Sequence, residues 1–359
     1  MLKLTFLFII GFSIFAKADW ITESGPQAGA TQAIAASVYH HPQALKVFWW
    51  NIEMGEQGQA SSPNPLENNL KELVENPTLR PHILILGEFS MRALSEQTLD
   101  LLLTYYTAEN FNYNNQTPDF GLAIFYQYHI DRDHHLSTYM ESQSTDQTLD
   151  WAPILSSPRQ SQIYRQEYIS NFSNAVLYTR TYLRFSYHFL GKTYHIVPVH
   201  LLQPWQDIKF SEFQTPSIPV FGESVRSVFN AYEKTFGTGL KILGDDSNPL
   251  YSQLVRLCGR VKSDLGDNFN LSPEQKVLLM GDFNYPRNIG IYSIGFRYMK
   301  NFLQDAFSVH DNTFPTASSG ESYPAMKIDH AFINGLTAHE ARVLPLSGSD
   351  HFPIYVVIE

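Results

Sequence analysis

The feature that most constrains the fold of this chain is a series of short apolar segments, each of which ends in a polar residue. The segment 45–50 (LKVFWW) is followed by Asn51, and the segment 81–87 (PHILILG) is followed by Glu88. Runs of this length, rich in β-branched and aromatic residues, are typical of buried β-strands. The same pattern predicts further strands at residues 120–128, 175–179, 182–189, 194–200, 276–280, 326–333 and 352–358.

Fewer segments show the spacing of apolar residues that is typical of helices. Many strands with few helices predict an α/β fold, here a four-layer α/β sandwich of two facing mixed β-sheets flanked by helices. The domain is expected to span residues 45–359. Its segment 203–272 has no strand that ends in a polar candidate residue, so we expect a helical insertion there, at one rim of the site. Helices are predicted at residues 66–74, 92–105, 222–235 and 249–264.

The N-terminus has the composition of a cleavable export signal. Residues 1–18 combine an early lysine, an apolar run from Leu4 to Phe15 and the sequence Ala-Lys-Ala before Asp19, as in a signal peptide. A membrane anchor is the alternative, but the run is shorter than the roughly 20 apolar residues that a bilayer span needs. We therefore expect a secreted or periplasmic protein that starts at Asp19 when mature, with residues 19–44 as a leader into the domain.

Net charge and cysteine content narrow the classes of partner. The formal net charge is −10, and removal of the signal makes it −12, because that segment carries Lys3 and Lys17 but no acidic residue. Non-specific binding of polyanions depends on Lys and Arg, so an acidic chain is not expected to bind nucleic acid in this way. The charge does not exclude a nuclease, because a bound cation can supply the local positive charge. The single cysteine, Cys258, cannot form an internal disulfide. We expect a monomer that requires no disulfide-linked partner.

Asp282 and Asn284 lie in the tetrapeptide 281–284 (GDFN), which follows the predicted strand 276–280. Side chains two residues apart on a strand point to the same side. Together they would offer hard oxygen ligands for Mg²⁺, Mn²⁺ or Ca²⁺. The alternative is a plain turn, because Gly, Asp and Asn all favour turns, and the tetrapeptide alone does not decide between the two.

Two carboxylates lie beside histidines near the C-terminus. Asp350 and His351 directly precede the last predicted strand; they offer a hard ligand and an imidazole that titrates near neutral pH, although a polar strand cap explains them equally well. Asp329 lies inside an apolar strand, where a carboxylate needs a partner, such as a histidine that it orients. His330 points to the opposite face and is expected to be structural or exposed.

Three further candidates, Asn51, Glu88 and His200, each end a predicted strand. Taken singly, each is better explained as an ordinary strand-terminal residue. A histidine on an apolar strand is usually structural, and His195, which is out of phase with His200 on the same strand, is interpreted in that way. The order of all the fragments along the chain is what favours a functional site.

These fragments resemble, in their order, the endonuclease/exonuclease/phosphatase superfamily, which includes pancreatic-type deoxyribonucleases, abasic-site endonucleases, inositol polyphosphate phosphatases and neutral sphingomyelinases. The resemblance runs from about residue 45 to 359, nearly the whole mature chain. The chain departs from the family in two places. Gly87 precedes Glu88 where a glutamine is common, and the long insertion 203–272 lies in a region where members differ in substrate choice.

The resemblance also implies roles for the candidates. Glu88, with Asn51 and Asp350, would hold a divalent cation, Mg²⁺ or else Mn²⁺ or Ca²⁺. His351, held by Asp329, would contact the scissile phosphate. His200 would contact the phosphate as well, while Asp282 and Asn284 would position or activate the attacking water and complete the metal ligands.

These roles predict a metal-dependent phosphodiester hydrolase whose substrate is nucleic acid. Sphingomyelinase-like cleavage of phospholipids, with peripheral membrane contact, and hydrolysis of inositol phosphates are the enzymatic alternatives. Outside enzymes, the alternative is a non-catalytic binding module of the same fold, which the retention of every expected polar residue disfavours. Cleft arginines are expected in a nuclease, and the candidates are Arg92, Arg159, Arg165, Arg180 and Arg287.

Overall fold

The computed structural model describes the chain in segments. Several of the predictions above fall outside these segments: residues 1–28, nearly all of the strand at 175–179, the helix at 222–235, most of the insertion 203–272, Cys258, Arg159 and Arg287. For Arg165 and Arg180 only the backbone is described. The described residues are 29–55, 64–90, 92–112, 121–127, 165–170, 179–201, 257, 261, 265, 271–284, 299–300, 303–316 and 325–359.

Six strands form the first sheet: β1 (Leu45–Asn51), β2 (Ile83–Phe89), β3 (Thr107–Asn112), β4 (Gly121–Tyr126), β11 (Ala338–Val343) and β12 (Ile354–Ile358). Their spatial order is β11-β12-β1-β2-β4-β3. β1 and β2 are parallel, and every other neighbouring pair in this sheet is antiparallel. The sheet is therefore mixed, as the sequence predicts.

The second sheet also has six strands: β5 (Arg165–Ser170), β6 (Thr179–Phe189), β7 (Lys192–His200), β8 (Lys276–Asp282), β9 (Gln304–Asp305) and β10 (Asp329–Asn334). Their spatial order is β5-β6-β7-β8-β10-β9. Here β7 and β8 are parallel, and the remaining pairs are antiparallel. Each sheet thus contains one parallel pair near its centre.

The two sheets face each other across a buried apolar core. Alternate residues of each strand enter it, for example Val47 and Trp49 from β1 and Ile196 from β7. Fully buried side chains of this kind contribute about 1.5–3 kcal/mol each by leaving water. The predicted sandwich of two facing mixed sheets is confirmed.

Helices cover the outer face of the first sheet, where Phe48, Trp50 and Leu84 enter a second apolar cluster. Two of the helices begin at capping residues: Asn64 accepts a hydrogen bond from the Glu67 backbone N–H at 3.3 Å, and Ser95 caps its helix in the same way. Such caps satisfy N–H groups that the first helical turn leaves unpaired. The helices are α1 (Ala30–His40), α2 (Pro65–Glu75) and α3 (Glu96–Tyr105).

The expected leader 19–44 includes helix α1, which the sequence reasoning did not predict. The helix packs against β11 and β12 and buries Ala30, Ile34 and Ala35. The segment is rich in small residues, so the narrow apolar face of the helix is not apparent from its composition. Residues 30–44 are therefore part of the folded unit.

Leu257, Val261 and Leu265 are helical and buried. Their spacing of four residues agrees with the helix predicted at 249–264. Strands β3, β5, β9 and β11 had no prediction, because these edge strands lack a continuous apolar run. Within the described ranges, no helix is long and apolar enough to cross a membrane.

Candidate active site

The strand pairing brings five of the candidate residues to one edge of the sandwich. In the first sheet Asn51 pairs with Gly87, and Glu88 follows directly. In the second sheet His200 and Asp329 both pair with Asp282. Parallel neighbours end at the same edge of a sheet, so the ends of β1 and β2 face the ends of β7 and β8.

Gly281 allows β7 and β8 to lie unusually close at this edge. A Cβ atom on Gly281 would lie 1.9 Å from the Val199 carbonyl oxygen, which no side chain could tolerate. The glycine of the tetrapeptide 281–284 is therefore required by packing between the strands. It also places Asp282 directly beside His200.

Asp282 and Asn284 come together through a tight turn, which corrects the expectation of strand alternation. β8 ends at Asp282, and Asn284 adopts a left-handed φ of 51°. The Asn284 backbone N–H donates to Asp282 Oδ1 at 2.6 Å, and its side-chain Nδ2 donates to Asp282 Oδ2 at 3.2 Å. The tetrapeptide is therefore a turn, and the turn places Asn284 against the Asp282 carboxylate.

Asn51 links the acidic residues of the two sheets. Its Nδ2 donates to Glu88 Oε1 at 3.1 Å and to Asp282 Oδ2 at 3.2 Å. Glu88 has a left-handed φ of 49°, and the pairing of β2 with β4 shifts register at this point. Left-handed conformations of residues other than glycine carry strain and are frequent at functional sites.

His200 lies between the same two carboxylates. Its Nε2 is 3.4 Å from Glu88 Oε1 and 3.6 Å from Asp282 Oδ2. The ring is buried, so its position is determined by the strand rather than by solvent. The sequence reasoning assigned His200 to the phosphate, and this geometry also suits it as a metal ligand.

His351 and Asp329 form a buried pair. His351 Nδ1 lies 2.8 Å from Asp329 Oδ2, which leaves Nε2 directed at the acidic cluster, 3.9 Å from Asp282 Oδ2. The Thr313 hydroxyl oxygen accepts hydrogen bonds from the backbone N–H groups of Ile328 and Asp329, each at 3.0 Å. The aspartate is therefore held at the backbone as well as at the carboxylate.

Ser349 joins the tripeptide 349–351 (SDH) to β1. Its hydroxyl donates to the Asn51 carbonyl oxygen at 2.6 Å and accepts from the His351 backbone N–H at 3.2 Å. Asp350 lies beside this network, with Oδ1 4.0 Å from His351 Nε2. Ser349 thus joins the tripeptide to the end of β1, and Asp350 and His351 place a carboxylate and an imidazole beside it.

Burial and crowding of charge change the proton affinity of these groups. Burial raises the pKa of Asp282 well above its usual value, and the neighbouring Asp329 carboxylate adds to the effect. Burial also raises the pKa of Asp350. For His351, burial alone would lower the pKa, but the carboxylates of Asp329 and Asp350 outweigh it and raise the pKa well above the usual range.

This arrangement fits a divalent cation. Ligand atoms of Glu88, His200 and Asp282 lie within 4.8 Å of one another, and so do those of Asp282, Asp329 and His351. Oδ1 of Asn284 is buried and accepts no hydrogen bond from the residues that the structure describes. Crowded carboxylates and an available amide oxygen are the environment in which a hard cation binds.

Two histidines serve as internal comparisons. His330 is fully buried, with its ring against Phe283 and Phe332, so it is structural and not exposed. His195 contacts the hydroxyl of Ser186 at 3.1 Å on the face of β7 opposite to His200. Burial lowers the pKa of His195 to about 4, and Arg184 adds to the effect.

Sequence reasoning assigned no role to three residues that organise the site: Trp49, Thr313 and Ser349. The indole N–H of Trp49 donates to Asp329 Oδ1 at 2.9 Å, across the two sheets. The partner of Trp49 lies far away in the sequence, so no local pattern marks this contact. Ser349 did carry a signal in the sequence, as the first residue of the Ser-Asp-His tripeptide.

Comparisons with known proteins agree with this architecture. The sequence matches the Endonuclease/Exonuclease/phosphatase family over residues 48–351. The chain therefore belongs to this family, whose members are typically metal-dependent phosphoesterases. The comparison with curated proteins returned no match.

Three solved structures are similar to this chain. An endonuclease/exonuclease/phosphatase from Bacteroides vulgatus has 14% identity and a TM-score of 0.50, with 88% of this chain and 98% of that one covered. Truncated Caenorhabditis elegans TDP2 has 16% identity, a TM-score of 0.47, and 88% and 97% coverage. The human Nocturnin catalytic domain with bound sulfate has 13% identity, a TM-score of 0.47, and 88% and 94% coverage.

Proposed function

We propose that this chain is an exported, divalent-metal-dependent hydrolase of phosphodiester bonds with nucleic acid as its substrate. The observation that carries the proposal is the convergence of Asn51, Glu88, His200 and Asp282 on the cross-sheet pair of Asp329 and His351. Each of these groups can bind a cation, hold water or meet a phosphate. A binding module would need no such set of buried titratable groups.

Glu88, Asn51 and Asp282 would hold the metal, with His200 and Asp350 close to the same cluster. When bound, Mg²⁺ or Mn²⁺ supplies a Lewis acid that polarises a phosphoryl oxygen. The side-chain amide of Asn51 holds the cluster together, because its Nδ2 donates hydrogen bonds to the carboxylates of Glu88 and Asp282. The carboxylates of Glu88 and Asp282 repel one another when both are ionised, and a bound cation would offset this repulsion. This is the reason to expect a cation here.

His351 would present an N–H to the phosphate. Asp329 accepts the hydrogen bond from Nδ1, so Nε2 faces the site. Burial alone would lower the pKa of the ring, but the Asp329 and Asp350 carboxylates raise it, which favours the protonated form. A protonated imidazole compensates charge on a non-bridging oxygen or donates a proton to the leaving oxygen. Asp282 and the side-chain oxygen of Asn284 would orient the attacking water.

The choice of nucleic acid as substrate rests on Arg92 and on the net charge of the chain. Arg92 follows Glu88 by four residues, at the same edge of the sheet, and its side chain is exposed. Exposed arginine near a cleft is suited to a phosphate backbone. The acidic net charge of the chain agrees with a substrate that is held locally, and not along an extended basic stripe.

Export rests on the sequence of residues 1–18. Expression of the full chain in a bacterial host, followed by mass spectrometry of the extracellular or periplasmic fraction, tests it. A mature N-terminus at Asp19 is expected. Recovery of the intact chain from the cytoplasm or from the membrane fraction would contradict export.

The activity test uses the purified mature protein with Mg²⁺ or Mn²⁺ on DNA, RNA, sphingomyelin vesicles and inositol phosphates. Turnover of DNA or RNA is expected. Turnover of only the lipid would move the substrate class and keep the phosphodiester chemistry. Turnover of only the inositol phosphates, which are phosphomonoesters, would contradict a phosphodiesterase. No turnover of any of the four would refute the proposed function.

A matched pair of variants controls the activity test. His200→Gln removes an imidazole from the acidic cluster, whereas His195→Gln removes one from the opposite face of the same strand. The first is expected to lower turnover by about 10²-fold or more, and the second by less than about twofold. Equal losses would show that the assay reports folding and not the site.

A further inference from the structure

Trp49 makes a contact that no role proposed so far explains. Its indole Nε1 donates to Asp329 Oδ1 at 2.9 Å, although 280 residues separate the two in the chain. Trp49 lies on β1 of the first sheet and Asp329 on β10 of the second. Both side chains are fully buried, so water does not compete for either group.

We propose that Trp49 is a positioning residue for the pair of Asp329 and His351. Its N–H fixes the rotation of the Asp329 carboxylate, so that the other oxygen faces His351. The proposal rests on the proposed function, because it concerns a site whose turnover depends on His351. It adds a residue that acts through Asp329 and does not touch the substrate.

The contacts of Asp329 support this assignment. Oδ1 accepts from Trp49 and Oδ2 from His351, while the backbone N–H donates to the Thr313 hydroxyl. Loss of the indole N–H would leave the buried Oδ1 without this donor. A buried acceptor that loses its donor is costly, so the carboxylate would turn and weaken its bond to His351.

Gly87 provides the space for this arrangement. A Cβ atom at Gly87 would lie 2.7 Å from both Cη2 and Cζ2 of the Trp49 ring. The ring therefore occupies the volume that a side chain at position 87 would need. This accounts for glycine at the position where the family commonly has glutamine, and it couples Gly87 to the orientation of Trp49.

Trp50 offers a matched control. Its Nε1 donates at 2.8 Å to the backbone carbonyl oxygen of His351, and its ring is equally buried. The two tryptophans thus lose a hydrogen bond of similar length when the indole is replaced. Only Trp49 bonds the Asp329 carboxylate.

The test compares Trp49→Phe with Trp50→Phe in steady-state kinetics on a phosphodiester substrate. Trp49→Phe is expected to lower kcat by about tenfold while KM changes by less than about twofold, because the carboxylate moves and the substrate contacts remain. Trp50→Phe is expected to lower the unfolding temperature by a similar amount but kcat by less than about twofold. A kcat of Trp49→Phe within about twofold of the wild-type value would overturn the assignment.

A double replacement separates positioning from packing. In an Asp329→Ala background, Trp49→Phe is expected to cost no further activity, because residues that act as a unit are non-additive. A further tenfold loss in that background would assign the effect of Trp49 to packing. If Trp49→Phe does not fold, 3-benzothienylalanine at position 49 keeps the ring shape and removes only the N–H.

A spectroscopic measurement distinguishes failure of this inference from failure of the proposed function. Between the NMR spectra of the wild type and of Asp329→Ala, the indole N–H resonance of Trp49 is expected to shift, while that of Trp50 keeps its position. If the Trp49 resonance shifts but the protein hydrolyses no phosphodiester, the contact is supported and the proposed function is rejected. An active protein in which neither Trp49 variant changes kcat would reject the positioning role alone.

Discussion

His351 and Asp329 lie 22 residues apart, and their side chains meet with Nδ1 and Oδ2 separated by 2.8 Å. Asp329 begins β10 in the second sheet, whereas His351 leads into β12 in the first. The pair therefore crosses the interface between the sheets. Its geometry depends on how the two sheets pack, which links the core of the sandwich to the chemistry at its edge.

The first prediction concerns this pair. Asp329→Ala and His351→Ala are each expected to lower kcat by about 10²–10⁴-fold, the contribution of one positioned acid–base group. The double variant should lose little more than the worse single variant, because the two act as a unit. Single-turnover kinetics on a phosphodiester substrate provide the measurement.

The control is the folded state of each variant, measured by circular dichroism and thermal unfolding. Asp329 is fully buried, so its replacement can also disturb β10. A double variant whose loss equals the product of the two single losses would show that the residues work independently.

The second prediction concerns the metal. Exhaustive chelation with EDTA is expected to abolish turnover, and Mg²⁺ or Mn²⁺ should restore it, because carboxylate and amide oxygens surround the cluster. Glu88→Gln should raise the metal concentration needed for half-maximal activity by roughly tenfold or more. Full activity after chelation would exclude a metal mechanism.

The third prediction concerns the pH dependence of metal binding. Asp282 and Asp350 have raised pKa values in the metal-free fold, chiefly because both are buried. A cation binds the ionised carboxylates, so binding must release protons and should tighten as pH rises. The rise in unfolding temperature on adding Mg²⁺ is expected to be larger near about pH 8 than near about pH 5.5, by linkage.

The stability of the metal-free protein should change in the opposite direction. A group with a raised folded pKa binds more protons in the folded state than in the unfolded state. The contribution of Asp282 and Asp350 to the free energy of unfolding is therefore fully present below their usual pKa of 3.8. It is lost as the pH rises through the raised pKa of the folded state.

Titration calorimetry of metal binding, in buffers of different ionisation enthalpy, measures the protons that binding releases. Metal binding without proton release would contradict the prediction.

The fourth prediction concerns Gly87 and Trp49. Gly87→Ala is expected to destabilise the wild type by about 1–3 kcal/mol, as overpacking of a core does. The cost should fall in a Trp49→Phe background, because phenylalanine lacks the Cζ2 and Cη2 atoms that the new methyl group would meet. Urea unfolding of the four proteins measures both costs.

Gly191 provides the control for that cycle. It has a positive φ of 72°, and a Cβ atom at this position would have nothing within 4 Å, so alanine there costs only backbone strain. Gly191→Ala should have the same effect with Trp49 or Phe at position 49. If Gly87→Ala also costs the same in both backgrounds, the ring does not occupy the space beside Gly87.

The sequence determined the central strands and their polar ends. Continuous apolar runs predicted β1, β2, β7 and β8 because burial on both faces requires such runs. The edge strands β3 and β11 went unpredicted, because an edge strand needs less apolar surface. The helix at 66–74 was predicted to within one residue at each end, since its apolar spacing is regular.

The candidate residues were also visible in the sequence, because catalytic and metal-binding groups are of few types and lie at strand ends. What only the tertiary structure decided is which atoms meet. The contacts of Trp49 with Asp329 and of Ser349 with Asn51 join segments 280 and 298 residues apart. Such contacts depend on sheet register and on the packing of one sheet against the other, and neither leaves a periodic pattern in the chain.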